Sequence, residues 1–110
     1  MTEIEKLYEL AGIKKQYFQD IVRGDYPIAV GYETYPPFTA EKQIELIKWV
    51  AIHQEMYTLS YEREFLWCSQ TDWQSSYCYE NFEESIANLI ITLWQDLTEA
   101  ERKEIKEILK

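Results

Sequence analysis

Tyr35-Pro36-Pro37-Phe38-Thr39-Ala40-Glu41-Lys42-Gln43-Ile44-Glu45-Leu46-Ile47-Lys48-Trp49-Val50 joins a stiff aromatic-proline elbow to an amphipathic helix. The paired prolines restrict the backbone, and Thr39 stands as an N-cap before the first apolar-periodic residue. On a helical wheel Ile44, Leu46, Ile47, Val50 and Ala51 share an arc of roughly 160°, which makes them the expected core face. Trp49 and Ile52 fall outside that arc, beside Glu41, Glu45 and Lys48. A Trp with an Ile three residues on forms a patch, either buried beneath another element or offered as a contact surface. His53 lies on the polar side of the wheel and reads as a surface residue.

Upstream, Thr2-Glu3-Ile4-Glu5 has the form of a capping box. Ile4, Leu7, Tyr8 and Ala11 then fall on one helical face, and Gly12 followed by Ile13 is a left-handed stop. The stretch from Lys14 to Gly24 can form a second short helix with Tyr17, Phe18, Ile21 and Val22 inward. Residues 24–38 hold Gly24, Pro27, Gly31, Pro36 and Pro37, which predicts a loop with one short extended piece at Ile28-Ala29-Val30. Tyr32, Tyr35 and Phe38 give that loop the apolar bulk to lie against the domain.

Leu7-Tyr8-Glu9-Leu10-Ala11-Gly12-Ile13, with Tyr17, Asp20-Ile21 and Arg23-Gly24, resembles the helix-turn-helix of Cro/repressor-type transcription factors. That resemblance implies a recognition helix carrying Lys14, Lys15, Gln16 and Gln19 to base edges. Only six residues precede Leu7, Tyr8 stands where the family has a small residue, and the chain is acidic; two short helices joined by a glycine turn is the competing reading.

Downstream of Met56 the period changes. Tyr57, Leu59 and Tyr61 alternate with polar residues, Phe65-Leu66-Trp67-Cys68 is a short apolar run, and Gln70–Ser76 is a polar turn before Tyr77-Cys78-Tyr79. An antiparallel hairpin or meander over about 56–80 is expected, with extension of the preceding helix through Tyr61 as the alternative. Such a hairpin would show aromatic rings on both sides, only one of which can face the helices. Asn81 caps a strongly periodic helix with Phe82, Ile86, Leu89, Ile90, Leu93, Trp94 and Leu97 in one stripe and Ile91 on the far side. Thr98-Glu99-Ala100-Glu101 is another capping box, opening a charged final helix that docks Ile105, Ile108 and Leu109.

The chain of 110 residues, 46% hydrophobic and 28% charged, fits one globular domain over residues 1–110. The fold class is therefore α+β: a helix-dominated single domain with a small antiparallel sheet. Its net charge of −9 repels phosphate, so nucleic acid is not an expected partner. The charge is spread along the chain rather than gathered on a DNA-mimicking segment. No leader and no membrane-length apolar run is read, so a cytoplasmic protein without membrane contact is expected. Cys68 and Cys78 have no metal-ligand spacing with His53, and in a reducing compartment are expected to be free thiols.

No Gly-rich phosphate loop, nucleophile elbow or metal cluster occurs, and carboxylate pairs such as Glu83/Glu84 and Glu99/Glu101 read as solvated helix faces. No catalytic residue, metal ligand or cofactor is assigned. The elbow-helix, together with Leu93-Trp94-Gln95-Asp96-Leu97-Thr98 and the helix after it, resembles small uncharacterised phage and prophage proteins of Gram-positive bacteria. The resemblance leaves 14–34 and 56–80 unmatched and implies a viral origin, with action in the host cytoplasm. Stoichiometric binding that inhibits a host protein, such as a defence component, is the leading function. Trp49, Ile52, Trp67, Trp73 and Tyr77 are its expected aromatic and apolar anchors. A second class is a nucleotide sponge, with rings stacking on a base and Arg23 or Arg63 holding phosphate. Self-association is left open.

Overall fold

A computed structural model describes residues 1–54, 56–62, 66–71, 74–77 and 79–110. In chain order the elements are α1 (Glu3–Leu10), β1 (Gln16–Val22), β2 (Ile28–Thr34), α2 (Ala40–His53), β3 (Thr58–Glu62), β4 (Leu66–Gln70), α3 (Phe82–Leu93) and α4 (Glu99–Leu109). The α+β class stands: four α-helices, a 3-10 turn at Trp94–Asp96 and two separate antiparallel hairpins, β1–β2 and β3–β4, make up the regular structure among the described residues.

Local chemistry sets the helix ends. Thr2, Thr39, Asn81 and Thr98 each accept a backbone N–H from the third residue of the helix that follows, and at Thr98 Glu101 completes the capping box. Gly12 has φ +75°, the Ile13 N–H donates to the Tyr8 carbonyl at 3.0 Å, and the Gly12 N–H donates to that of Glu9. Those two bonds satisfy carbonyls that the end of α1 would leave bare.

The core lies where α1 rests on α3 and α2 on α4. Leu7, Tyr8, Leu46, Val50, Ile86, Leu89, Ile90, Ile105 and Leu109 are fully or almost fully buried. The elbow closes one end of it: Tyr35 stacks on Tyr8 with ring centres 5.3 Å apart, and Phe38 meets the same ring edge-on at 6.3 Å. The Tyr8 hydroxyl donates to the Pro37 carbonyl at 3.4 Å.

The face of α2 differs from the wheel. Ile44 is half exposed, whereas Gln43 and Trp49 are buried. Gln43 donates to the Phe38 carbonyl at 2.9 Å, which ties helix to elbow and satisfies its buried amide. Trp49 is buried because α4 lies beside it and Glu104 accepts its indole N–H at 2.7 Å. The core stripe is thus turned toward Gln43, Leu46, Trp49 and Val50.

Three further expectations are corrected. The stretch read as a second helix is β1, and the loop read at 24–38 contains β2. Seven residues pair with seven, from Gln16↔Thr34 to Val22↔Ile28. Aromatic and β-branched residues favour that ladder, and a helix at Gln16–Val22 would have had no core face to dock on. Cys68 is disulfide-bonded rather than a free thiol. The chain's other cysteine, Cys78, lies outside the described residues.

The second hairpin follows the sequence reading more closely. β3 and β4 pair from Thr58↔Gln70 to Glu62↔Leu66, and the bridges Trp67↔Tyr79 and Gln70↔Ser75 bring the returning chain alongside β4. β4 packs on α3, where Ser69 and Ser85 are both completely buried.

Candidate functional site

The β1–β2 hairpin stands away from the helical body as an arm. Every residue of both strands is exposed. The molecule measures 57 × 37 × 22 Å with a radius of gyration of 16.5 Å, against roughly 13 Å for a compact chain of this length. The excess length is what an arm adds to a body of ordinary density.

Register sorts the arm's side chains into two faces. Direct cross-strand partners point the same way and neighbours along a strand point oppositely. Phe18, Asp20 and Val22 therefore share a face with Tyr32, Val30 and Ile28. The five apolar members of this face are exposed by between 41% at Phe18 and 62% at Ile28. Phe18 stacks on Tyr32 at 5.8 Å, and the Tyr32 hydroxyl donates to Asp20, which together with the Asp20 charge raises the tyrosine's pKa. Asp20 is the one charged residue on this face.

The opposite face carries Tyr17, Gln19 and Ile21 over Glu33, Gly31 and Ala29. Gly31 has a purpose here, since a Cβ at that position would run into the Tyr17 ring. The glycine lets that ring lie flat across the neighbouring strand.

At the root of the arm a groove of about 420 Å³ runs between α1 and the elbow, with Glu5, Tyr8, Lys15, Glu33 and Tyr35 among its lining. Lys15 Nζ sits 5.3 Å from the centre of the Tyr35 ring. Burial pushes the Tyr8 hydroxyl up to about 12. Two carboxylates and one lysine make this groove a poor seat for a phosphate.

The expected site residues are scattered. Trp49 is only 7% exposed and belongs to the core, so it is no surface anchor. Ile52 is 75% exposed on α2, and Tyr77 is still more open, its backbone N–H donating to Asn88 Oδ1 at 3.1 Å. Trp67 is half buried between Tyr61, 4.7 Å away, and Phe82, 5.8 Å away. Trp73 and Arg63 lie outside the described residues. Arg23 is exposed in the turn at the arm's tip, at the other end of β1 from the groove and Lys15. Lys14 and Lys15 precede β1 while Gln16 and Gln19 lie on it, so the recognition helix that a helix-turn-helix requires is a strand.

Sequence reasoning missed the arm's apolar face. Its signal was present as Phe18-x-Asp20-x-Val22 and Ile28-x-Val30-x-Tyr32, two runs of period two separated by a connection with Gly24 and Pro27.

Among the described residues no group of His, Cys, Asp and Glu could hold a metal ion, and no helix is long and apolar enough to cross a membrane. Comparison with known proteins returns no matching family model, curated protein or solved structure.

Proposed function

We propose that this chain works by stoichiometric binding to protein, without catalysis, as a small acidic accessory protein of phage type that inhibits a host protein. The observation that carries this reading is the β1–β2 arm. A two-stranded ribbon is marginal by itself in water, and one that holds Phe18, Val22, Ile28, Val30 and Tyr32 in solvent gains by being covered. On the body, Ile52, Tyr61 and Tyr77 offer further exposed apolar surface, with Trp67 half exposed beside them. Aromatic side chains of this kind supply large contact area for little lost freedom.

The test is capture from a Gram-positive bacterial lysate with the tagged chain, compared with Val22→Asp, Ile28→Asp and Tyr77→Ala. Loss of a captured protein with any of these variants, while the helical melting curve is unchanged, supports binding through the surface altered. A catalogue of captured proteins identical for all four chains would remove both surfaces from the proposal.

A further inference from the structure

Resting on the reading of the arm as a contact surface, we infer that the occupant of its apolar face is a second copy of this chain, the two arms packed face to face and pointing in opposite directions, which leaves Ile52, Tyr61 and Tyr77 on each body for the host protein.

Charge selects the partner. Between residues 14 and 34, Lys14, Lys15 and Arg23 balance Asp20, Asp25 and Glu33, so the arm is neutral and the net charge of −9 belongs to the rest of the chain. A basic protein would be drawn to the acidic body. A second copy is repelled by that body and meets no net repulsion at the arm. A neutral apolar arm on an acidic body is the arrangement that self-association needs.

Area supports it. The residual exposure of Phe18, Val22, Ile28, Val30 and Tyr32, scaled by residue size, leaves on the order of 500 Å² open per copy, the size of the largest patch on a typical monomer, which is often functional. Full cover of two such faces buries about 1,000 Å² of surface together, where specific association begins. Stacking also turns two marginal ribbons into a two-layer unit with an interior.

Direction follows from the same charges. A two-fold axis can set the arms parallel or antiparallel. Parallel arms bring both acidic bodies to one end. Antiparallel arms hold the bodies at opposite ends. The same arrangement brings Lys14 and Lys15 at one root level with Asp25 at the other tip.

Sedimentation over a concentration series tests the inference on the intact chain. The expected result is a species of twice 13.3 kDa whose dissociation constant rises about 30-fold or more with Val30→Glu, a loss of hot-spot size. Ala29→Glu, on the opposite face, is expected to leave it unchanged. Neither substitution touches the helical body, so its melting curve serves as the folding control. Zero-length cross-linking of light with heavy-isotope chains is expected to join Lys14 or Lys15 of one copy to Asp25 of the other. A wild-type chain that stays monomeric overturns the inference, as does dissociation by Ala29→Glu equal to that by Val30→Glu; root-to-root links alone overturn the antiparallel arrangement. A monomer that loses a host protein on Val30→Glu would sink the dimer and leave the binding function standing.

Discussion

Trp49 donates its indole N–H to Glu104 at 2.7 Å and thereby fastens α4 across α2. The imidazole of His53 stacks on the same indole at 4.1 Å, with Nε2 3.3 Å from the Glu104 carboxylate. Its Nδ1 lies 2.8 Å from the Trp49 carbonyl, which can only accept, so that nitrogen carries a proton.

Glu104→Ala leaves the indole N–H without its acceptor in a site where Trp49 is nearly closed to water. The expected loss is about 1–3 kcal/mol in urea unfolding, and Glu104→Gln should recover most of it because an acceptor remains. Equal losses for the two variants would show that charge, rather than the hydrogen bond, holds the helices together.

Glu3 joins α1 to α3 through its carboxylate. Burial pushes that carboxyl up, but donation from Asn88 at 3.0 Å and from Lys6, the Lys6 charge and the Tyr79 hydroxyl together hold it below the ordinary 4.5. A depressed folded value means stability that is fully present above 4.5 and is lost as pH falls through the folded value. Glu3→Gln should therefore be less stable than wild type near neutrality, with the gap in melting temperature closing in acid. A gap constant with pH would refute the linkage.

Tyrosine titration probes the basic side. Burial first, and then the Glu3 charge, push Tyr79 up to about 12, and burial alone does the same to Tyr8. A raised folded value contributes stability below the ordinary 10 that is lost as pH climbs through about 12. Ultraviolet titration should show a late-ionising fraction of the nine tyrosines that shrinks in both Tyr8→Phe and Tyr79→Phe.

What the sequence revealed and what it hid divide along the range of the forces involved. Thr2, Thr39, Asn81 and Thr98 were legible as caps because a cap is settled within four residues. Tyr17, Phe18, Ile21 and Val22 satisfy helical and strand periods alike, and pairing with Ile28–Thr34 decides between them. A single-segment wheel does not contain that partner. Trp49 failed for the same reason, since its wheel position says nothing of α4. Of the candidate site, the exposure of Ile52 and Tyr77 was legible, while the arm's apolar face followed only from cross-strand register.

The glycines separate body from arm. Gly12→Ala forces a Cβ into the left-handed region at φ +75° and should cost about 1–2 kcal/mol, seen as a lower melting temperature. Gly31→Ala only displaces the exposed Tyr17 ring, so helical melting should not change. A matching fall for Gly31→Ala would mean that the arm unfolds together with the body.

The hydroxyls between β4 and α3 form a directed chain. Ser85 Oγ donates to the Phe82 carbonyl at 2.8 Å, and that end fixes the rest. With its proton used, Ser85 accepts from Ser69 at 2.9 Å, and Ser69 in turn accepts from Tyr57 at 2.9 Å. Burial raises the Tyr57 pKa, which keeps it a donor. Ser85→Ala strands the donor of Ser69, a completely buried residue, and should cost about 1–3 kcal/mol. Ser69→Ala strands the Tyr57 hydroxyl, which is half buried, and should cost less. Tyr57→Phe strands no donor, because Ser69 still gives its proton to Ser85, and should cost about 0.5–1.5 kcal/mol, the least of the three. Urea unfolding of the three variants ranks them, and a largest loss at Tyr57→Phe would reverse the direction of the chain.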